Sequence, residues 1–377
     1  MIQSILHLIR TMDPERGGPV SFLKELCTAH AAMGIRVVIL TLDRHAPAWS
    51  PGPRIAVIEC GPSRGTYGYN TALKDRLAAT VGTFDAMVVH GLWQFHGLSA
   101  MRASKRSGVP YFVFPHGMLD PWFKREYPVK HLKKQVYWAL AERRVLNEAK
   151  SVLFTSRNEM RLAESTFVPK TQYHARILPL GVQKSSAEGA QLREAFFQRF
   201  PLMRGRRYLL FLGRLDPKKG CDLLIEAISR IRPPLDVVFA GPGADEGYKS
   251  KLARSAVGLP IQLTGMLHGE VKSGALAAAE ALILPSHQEN FGLVVAEALS
   301  FGTPVLLSNK VNIAEEVASF GAGFVEPDTL AGTERLIDRW LREGNPAMRD
   351  KALRCFENHF DIEHSARELV SIVSGDG

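Results

Sequence analysis

Residues 281–299 read ALILPSHQENFGLVVAEAL, and this stretch decides the architecture. The first four, Ala281–Leu284, are apolar with no polar alternation, which marks a strand covered on both faces. A polar loop, PSHQEN, follows. From Gly292 to Leu299 the chain takes on a helical pattern. A strand, a short loop and a helix in this order make up half of a parallel βαβ unit. In open parallel sheets, ligands sit beyond the carboxyl ends of the strands. The loop at 285–291 is therefore a candidate binding segment. Behind it, the first helix amides have no intrahelical acceptor and carry the positive end of the helix dipole, so they offer an anion site.

The same rhythm runs through the whole chain. Short apolar runs at 4–9, 36–42, 55–58, 86–90, 111–114, 151–154 and 176–178 form one group of predicted strands. Runs at 207–212, 235–240, 261–263, 281–284 and 304–307 form a second. Helical patterns intervene, for example at 19–33 and 222–231. The fold class is therefore α/β, with two doubly wound, Rossmann-like domains expected to face each other across a cleft. The polar run GVQKSS at 181–186 breaks the rhythm. It sets the expected domains at 1–183 and 184–360, with a final helical pattern over 361–374 that no strand follows.

The chain has 377 residues, 46% of them hydrophobic and 23% charged, with 47 Lys+Arg against 38 Asp+Glu. This is globular composition, and the length suits two domains. No apolar run approaches the roughly 18 residues of a membrane-spanning helix. The opening MIQSILHLIR lacks the marks of a signal peptide and is expected to be the first strand. Cys27, Cys60, Cys221 and Cys355 are scattered with no metal-ligand spacing, so buried, reduced thiols and a cytoplasmic setting are expected. The charge is uneven. Residues 1–183 hold 24 Lys+Arg and 13 Asp+Glu, and the remainder 23 and 25. Such asymmetry points to an anionic partner for the first domain.

The residues at other strand ends extend the candidate site. Gly17 and Gly18 lie between the first strand and its helix, where a turn without Cβ atoms lets a ligand approach the backbone. An ordinary tight turn would use the same residues. Pro115-His116-Gly117-Met118 follows the 111–114 strand and gives His116 room to face a cleft; a hydrogen-bonded loop histidine is the plain alternative. His90-Gly91 is a weaker case of the same kind. In GRLDPKKG, 213–220, Arg214 and Lys219 bracket a turn at a helix start and together suit a diphosphate, although a solvated basic loop would read alike. Glu289 can accept hydroxyl hydrogen bonds. Glu297 lies about a turn and a half into the helix, where an isolated glutamate is usually only a surface residue. Two carboxylates flanking helix-end amides fit a diphosphate between hydroxyl-bearing groups, the layout of a nucleotide sugar.

Four segments now carry a resemblance. SHQENFGLVVAEALSFGTPV, with Glu289 and Glu297, is similar to the signature of retaining family-4 glycosyltransferases of the GT-B fold (glycosyl transferases group 1). GRLDPKKG resembles that family's Arg…Lys phosphate motif, and Gly17-Gly18 and PHGM at 115–118 fall where it has its glycine loop and N-domain histidine. The resemblance implies that Arg214 and Lys219 neutralise the departing donor diphosphate. It implies that Glu289 holds hydroxyls of the transferred sugar, with the backbone amides of Asn290, Phe291, Gly292 and Leu293. Glu297 would hold the nucleotide ribose. His116 would face sugar and acceptor across the cleft, and Gly17 and Gly18 would admit phosphate and acceptor. The stretch 264–267 falls where the family's base-contacting loop lies. The final helix would cross back onto the first domain. The implied reaction is retaining hexosyl transfer (EC 2.4.1.-) from a UDP- or GDP-sugar. No DxD motif is present to hold a diphosphate-bridging metal, so no metal cofactor is expected.

Residues 123–144 carry seven Lys/Arg: Lys124, Arg125, Lys130, Lys133, Lys134, Arg143 and Arg144. Trp122, Phe123, Tyr127, Tyr137 and Trp138 are interleaved with them. Leu132, Val136 and Leu140 recur every four residues, giving a helix an apolar stripe beside a basic one. Such a helix can lie on an anionic membrane surface, or can pack its stripe on its own sheet. The first reading implies a lipid-linked glycan acceptor, polysaccharide or lipopolysaccharide assembly, and a peripheral position on the cytoplasmic face of an inner membrane. No nucleic-acid-binding motif is present. The competing functions are a nucleotide-sugar epimerase or hydrolase on the same fold, and a non-catalytic sugar-nucleotide binder.

Overall fold

A computed structural model of the chain describes residues 2–14, 17–45, 49, 52–185, 187–243 and 245–375. Two compact units emerge. Unit 1 is Met1–Gly181 with Ile362–Gly377, and unit 2 is Val182–Asp361. The strands of unit 1 are β1 (Ser4–Ile9), β2 (Arg36–Thr41), β3 (Ile55–Glu59), β4 (Ala86–His90), β5 (Tyr111–Phe114), β6 (Ser151–Phe154) and β7 (Ala175–Ile177). Its first helices are α1 (Gly18–Ala32), α2 (Thr71–Thr80), α3 (Phe95–Ser107), α4 (Trp122–Glu126), α5 (Pro128–Tyr137), α6 (Arg143–Asn147) and α7 (Arg157–Ala163). Unit 2 holds β8 (Tyr208–Leu212), β9 (Asp236–Ala240), β10 (Ile261–Gly265), β11 (Ala281–Leu284), β12 (Val305–Ser308) and β13 (Gly323–Glu326). Its helices are α8 (Gly189–Arg199), α9 (Cys221–Ile231), α10 (Glu246–Ser255), α11 (Gly269–Ala278), α12 (Leu293–Ser300), α13 (Ala314–Phe320), α14 (Leu330–Glu343) and α15 (Ala347–His359). The last helix, α16 (Ile362–Ser374), belongs to unit 1.

Both sheets are parallel and doubly wound. Unit 1 has the order β3-β2-β1-β4-β5-β6-β7, and unit 2 the order β10-β9-β8-β11-β12-β13. In each, the winding reverses once, between β1 and β4 and between β8 and β11. Loops leaving the strands on either side of a reversal diverge and open a crevice at the carboxyl ends. The sequence places its chemistry at these two points. β1, β4, β5, β6, β11 and β12 are buried at every position, as expected of strands covered on both faces.

Two local features depart from the sequence expectations. β13 was not anticipated: its four residues begin with Gly323, where a Cβ would lie 1.8 Å from Val305 O, so close pairing rather than apolar periodicity forms it. The stretch 187–204 holds α8, whose Leu192 and Phe196 are buried. Gly274 of α11 lies under α8, where a Cβ would come within 1.9 Å of Leu192 O. In unit 1, α16 buries Ile362, Ser365, Ala366, Leu369 and Ile372, a helical stripe facing α1. His30 of α1 donates from Nε2 to Ala366 O (3.1 Å), and Ser365 Oγ donates to Pro179 O (2.9 Å).

Candidate functional site

The crevice of unit 2 is built by three loops stitched together. After β8, Gly213 N donates to Ala240 O (2.9 Å) and Leu215 N to Pro242 O (2.8 Å). Gly241 makes this approach possible, because a Cβ there would sit 1.8 Å from Gly213 O. Asp216 caps the short turn Pro217–Lys219 by accepting Lys218 N at 2.9 Å. Gly220 ends the turn at φ 67°, where a Cβ would clash at 2.3 Å with Pro285 O. His287 N in turn donates to Lys218 O (2.9 Å), which fixes the loop after β11 against the loop after β8.

This stitching brings Lys219 and Glu289 into an ion pair. Their side chains are only 22% and 18% exposed, so each neutralises a charge that would otherwise be poorly solvated. The Glu289 backbone is clamped from the far side. Its N–H donates to Lys310 O, and its carbonyl accepts from Asn312 N, both at 3.0 Å. Gly292, at φ 78°, turns the chain into α12, and Val295 N closes the first turn on Gly292 O at 2.7 Å. Phe291 is an anchor: it is buried and meets Phe360 edge-on at 5.6 Å. Asn290 accepts from Asn312 Nδ2 at 3.4 Å. Arg214 is exposed beside the crevice. Leu293 starts α12, and Glu297, further along it, pairs with Lys272 of α11 at 2.6 Å. Lys272 carries no motif in the sequence, and only the packing of α11 beside α12 reveals it. In 264–267, Gly265 O accepts Gly241 N (2.8 Å) and Met266 stands half exposed.

Unit 1 has its own cavity, of about 800 Å³, at the β1/β4 reversal. Arg10, Asp13, Asp43, Thr66, Gln94 and His116 are among its lining residues. His116 sits just past β5 at φ 49°, stacked on Phe114 with centroids 4.4 Å apart. Gly117 N donates to Glu159 Oε1 (2.6 Å), which holds the left-handed turn. Gly17 caps α1 at φ 82°, and Gly18 begins the helix just before Pro19 and Val20 of the cavity wall. Glu15 and Arg16 of the same loop lie outside the described residues.

All four cysteines are buried and unpaired; burial raises the Cys27 thiol and pushes Cys221 and Cys355 up to about 12. Among the described residues no helix is long and apolar enough to cross a membrane. The apolar stripe of the basic segment is not packed on the sheet. Val129, Leu132, Val136 and Leu140 are 70, 65, 56 and 78% exposed. Residues 138–142 form a π-helical turn that buries Trp138 and Glu142, so the two sides of this segment face opposite ways. Lys134 lies over the Trp93 ring at 5.1 Å, half buried, whereas Lys124, Arg125 and Lys133 are exposed.

Comparison with known proteins places this geometry in a family. Residues 17–181 match the glycosyl transferase 4-like domain, and residues 193–355 match glycosyl transferases group 1. The chain belongs to the family-4 glycosyltransferases of the GT-B fold. A putative teichuronic acid biosynthesis glycosyltransferase, TuaC of Bacillus subtilis, is 25% identical over 72% of this chain and 66% of its own length. A D-inositol 3-phosphate glycosyltransferase of Streptomyces avermitilis is 27% identical over 85% of this chain and 74% of its own. The sulfoquinovosyl transferase SQD2 of Arabidopsis thaliana is matched over only 62% of its length. Among solved structures, Anabaena HepE in complex with UDP and glucose superposes with a TM-score of 0.74 at 16% identity, covering 99% of this chain and 100% of that one. WaaG, a glycosyltransferase involved in lipopolysaccharide biosynthesis, gives 0.72 at 18% identity, covering 98% and 100%.

Proposed function

We propose that the protein is a retaining glycosyltransferase that moves a hexose from a UDP- or GDP-sugar to a hydroxyl of a lipid-linked glycan, at the cytoplasmic face of a membrane and without a metal. The observation that carries this reading is the Lys219–Glu289 pair at the start of α12. A bound diphosphate sugar exchanges partners with it. Lys219 turns to the phosphate, and Glu289 is released to sugar hydroxyls, so neither charge is stranded. Arg214 adds a planar donor fork, and the α12 amides add partial positive charge. Glu297, presented by Lys272, takes the ribose hydroxyls.

In the reaction, the bond from the anomeric carbon to the phosphate oxygen breaks, and a bond to the acceptor oxygen forms on the same face. Positive charge builds on the sugar and negative charge on the diphosphate. Lys219, Arg214 and the amides stabilise the latter. The acceptor proton passes to the departing phosphate oxygen. Glu289 orients the sugar and is not the nucleophile; trapping of a glycosyl adduct on Glu289 would sink this route.

Unit 1 takes the acceptor. The basic face and exposed apolar stripe of α5 support a membrane-borne acceptor. The deciding experiment incubates the protein with a panel of nucleotide sugars and follows free nucleotide and glycosylated product, with and without lipid-linked acceptor. Acceptor-dependent release with product supports transfer. Release without acceptor indicates a hydrolase or epimerase, and no release a binder.

A further inference from the structure

Three histidines from three neighbouring strands of unit 1 run in file from the cavity into the core. His7 lies on β1, His90 ends β4 and His116 follows β5. In the parallel register Val88 is opposite His7, and His90 is two residues on from Val88, so His7 and His90 share a face of the sheet. His90 Nδ1 lies 3.0 Å from His116 Nε2, and His90 Nε2 lies 3.0 Å from His7 Nδ1. Rings 7 and 90 are 5.2 Å apart, as are rings 90 and 116. The two outer nitrogens, His116 Nδ1 and His7 Nε2, are buried without a hydrogen-bond partner.

The file is uncharged. Burial brings His7 and His116 down to about 3, and burial with repulsion from His7, His116 and His96 holds His90 well below its ordinary value. The groups around it do not reverse this. From α1, His30 stacks over His7 at 6.4 Å and is itself lowered to about 4. From α3, His96 donates to His90 O at 2.9 Å and is also lowered to about 4. The cavity wall adds Arg10, Asp13 and Asp43, and α7 adds Glu159, whose carboxylate is occupied by Gly117 N and Thr155. Among the described residues no carboxylate is bonded to any of the three rings. The ring nitrogens pair in line instead of converging, and among the described residues no such cluster could hold a metal ion.

Three neutral imidazoles carry three hydrogens on six nitrogens. The two ring-to-ring bonds use four nitrogens and two hydrogens. The third hydrogen must sit at one end, so one outer nitrogen carries a hydrogen and the other a lone pair. We propose that His7 and His90 are positioning residues that hold His116 as an uncharged, oriented hydrogen-bonding group at the cavity wall, with the state of its Nδ1 tied to that of His7 Nε2. This rests on the reading of unit 1 as the acceptor domain, and it deepens that reading. A proton given to His116 has no exit through the file, because its inner end, His7 Nε2, is buried beside His30 of α1 with no acceptor among the described residues. His116 therefore orients a substrate hydroxyl and does not deprotonate it, which leaves the departing diphosphate as the base.

The test uses the full chain with ¹⁵N-labelled histidine, and multiple-bond ¹H–¹⁵N spectra at pH 6, 7 and 8 without donor or acceptor. The expected result is one hydrogen-bearing and one bare nitrogen on each of the three rings at every pH, with opposite states at His116 Nδ1 and His7 Nε2. In His7→Phe the His116 nitrogen signals shift, although residue 7 is two rings away. Overturning results are a charged ring anywhere in that range, like states at the two ends, or His116 signals that ignore His7→Phe. If His7→Phe does not fold, the wild-type pattern decides alone. Transferase activity plays no part in these spectra, so their failure is distinct from failure of the nucleotide-release assay.

Discussion

Lys219 and Glu289 are worth more together than either is alone, because each removes the other's desolvation cost in a half-closed crevice. Removing Lys219 should therefore hurt twice: the leaving diphosphate loses a cation, and Glu289 loses its resting partner. Lys219→Ala and Arg214→Ala are each expected to lower kcat by about 10²-fold or more, the scale of a lost oxyanion donor. Steady-state kinetics check this, and values within a fewfold of wild type would remove both from the phosphate role. Glu297→Ala should instead raise the donor KM with a smaller change in kcat, because a ribose contact is made equally in ground and transition states. As candidates, Glu289, Lys219 and His116 could be singled out in the sequence because each follows a predicted strand end, and Glu297 because it lies on the helix beyond one. Lys272, His7 and His90 as a file could not. Lys272 gains its meaning only from a neighbouring helix, and His7 sits mid-strand, where sequence reads a core position. These buried histidines also leave a mark on stability. Unfolded histidines take up protons near pH 6.5, whereas His7, His30, His96 and His116 stay neutral in the fold down to about 3 to 4. The unfolded state then binds more protons, so stability falls as pH drops below about 6.5. Thermal melts from pH 7 to pH 4.5 should show a steep loss of Tm, made shallower in His30→Gln.

At the scale of elements, the long, both-faces-buried strands were easy to read and their bounds moved by a residue or two. β13 was lost because a four-residue pairing segment headed by glycine has no periodicity to detect. α8 was lost because Gly189 and the polar run before it look like linker, although Leu192 and Phe196 seat the helix on α11. The basic segment was legible as amphipathic but not as exposed, since a stripe that packs inward has the same spacing. Its exposure yields a prediction. Arg125→Glu with Lys133→Glu, or Leu132→Ser with Val136→Ser, should reduce co-sedimentation with anionic vesicles at least tenfold and leave nucleotide-sugar binding unchanged. Binding that ignores both pairs would move the membrane contact elsewhere. Lys134 is the wrong choice for such a test, because its ammonium is half buried over Trp93.

For the whole molecule, the charge asymmetry survives the true division of the chain. Unit 1, with its C-terminal helix, has 25 Lys+Arg against 16 Asp+Glu, while unit 2 has 22 of each. The excess therefore lies with the proposed acceptor domain, and the proposed donor crevice would rely on two placed cations, Arg214 and Lys219. Salt separates the two. Vesicle binding should weaken steeply between about 0.05 and 0.5 M salt, as the Debye length falls well below 10 Å, while the donor KM changes by only a fewfold. The same division has a temporal consequence. Unit 2 is continuous in sequence and can close as soon as residue 361 has left the ribosome. Unit 1 is split around unit 2: the face of α1 around His30 waits for Ala366 and Leu369, which are made only after all of unit 2. Until then, the discontinuous unit is the one that needs shelter.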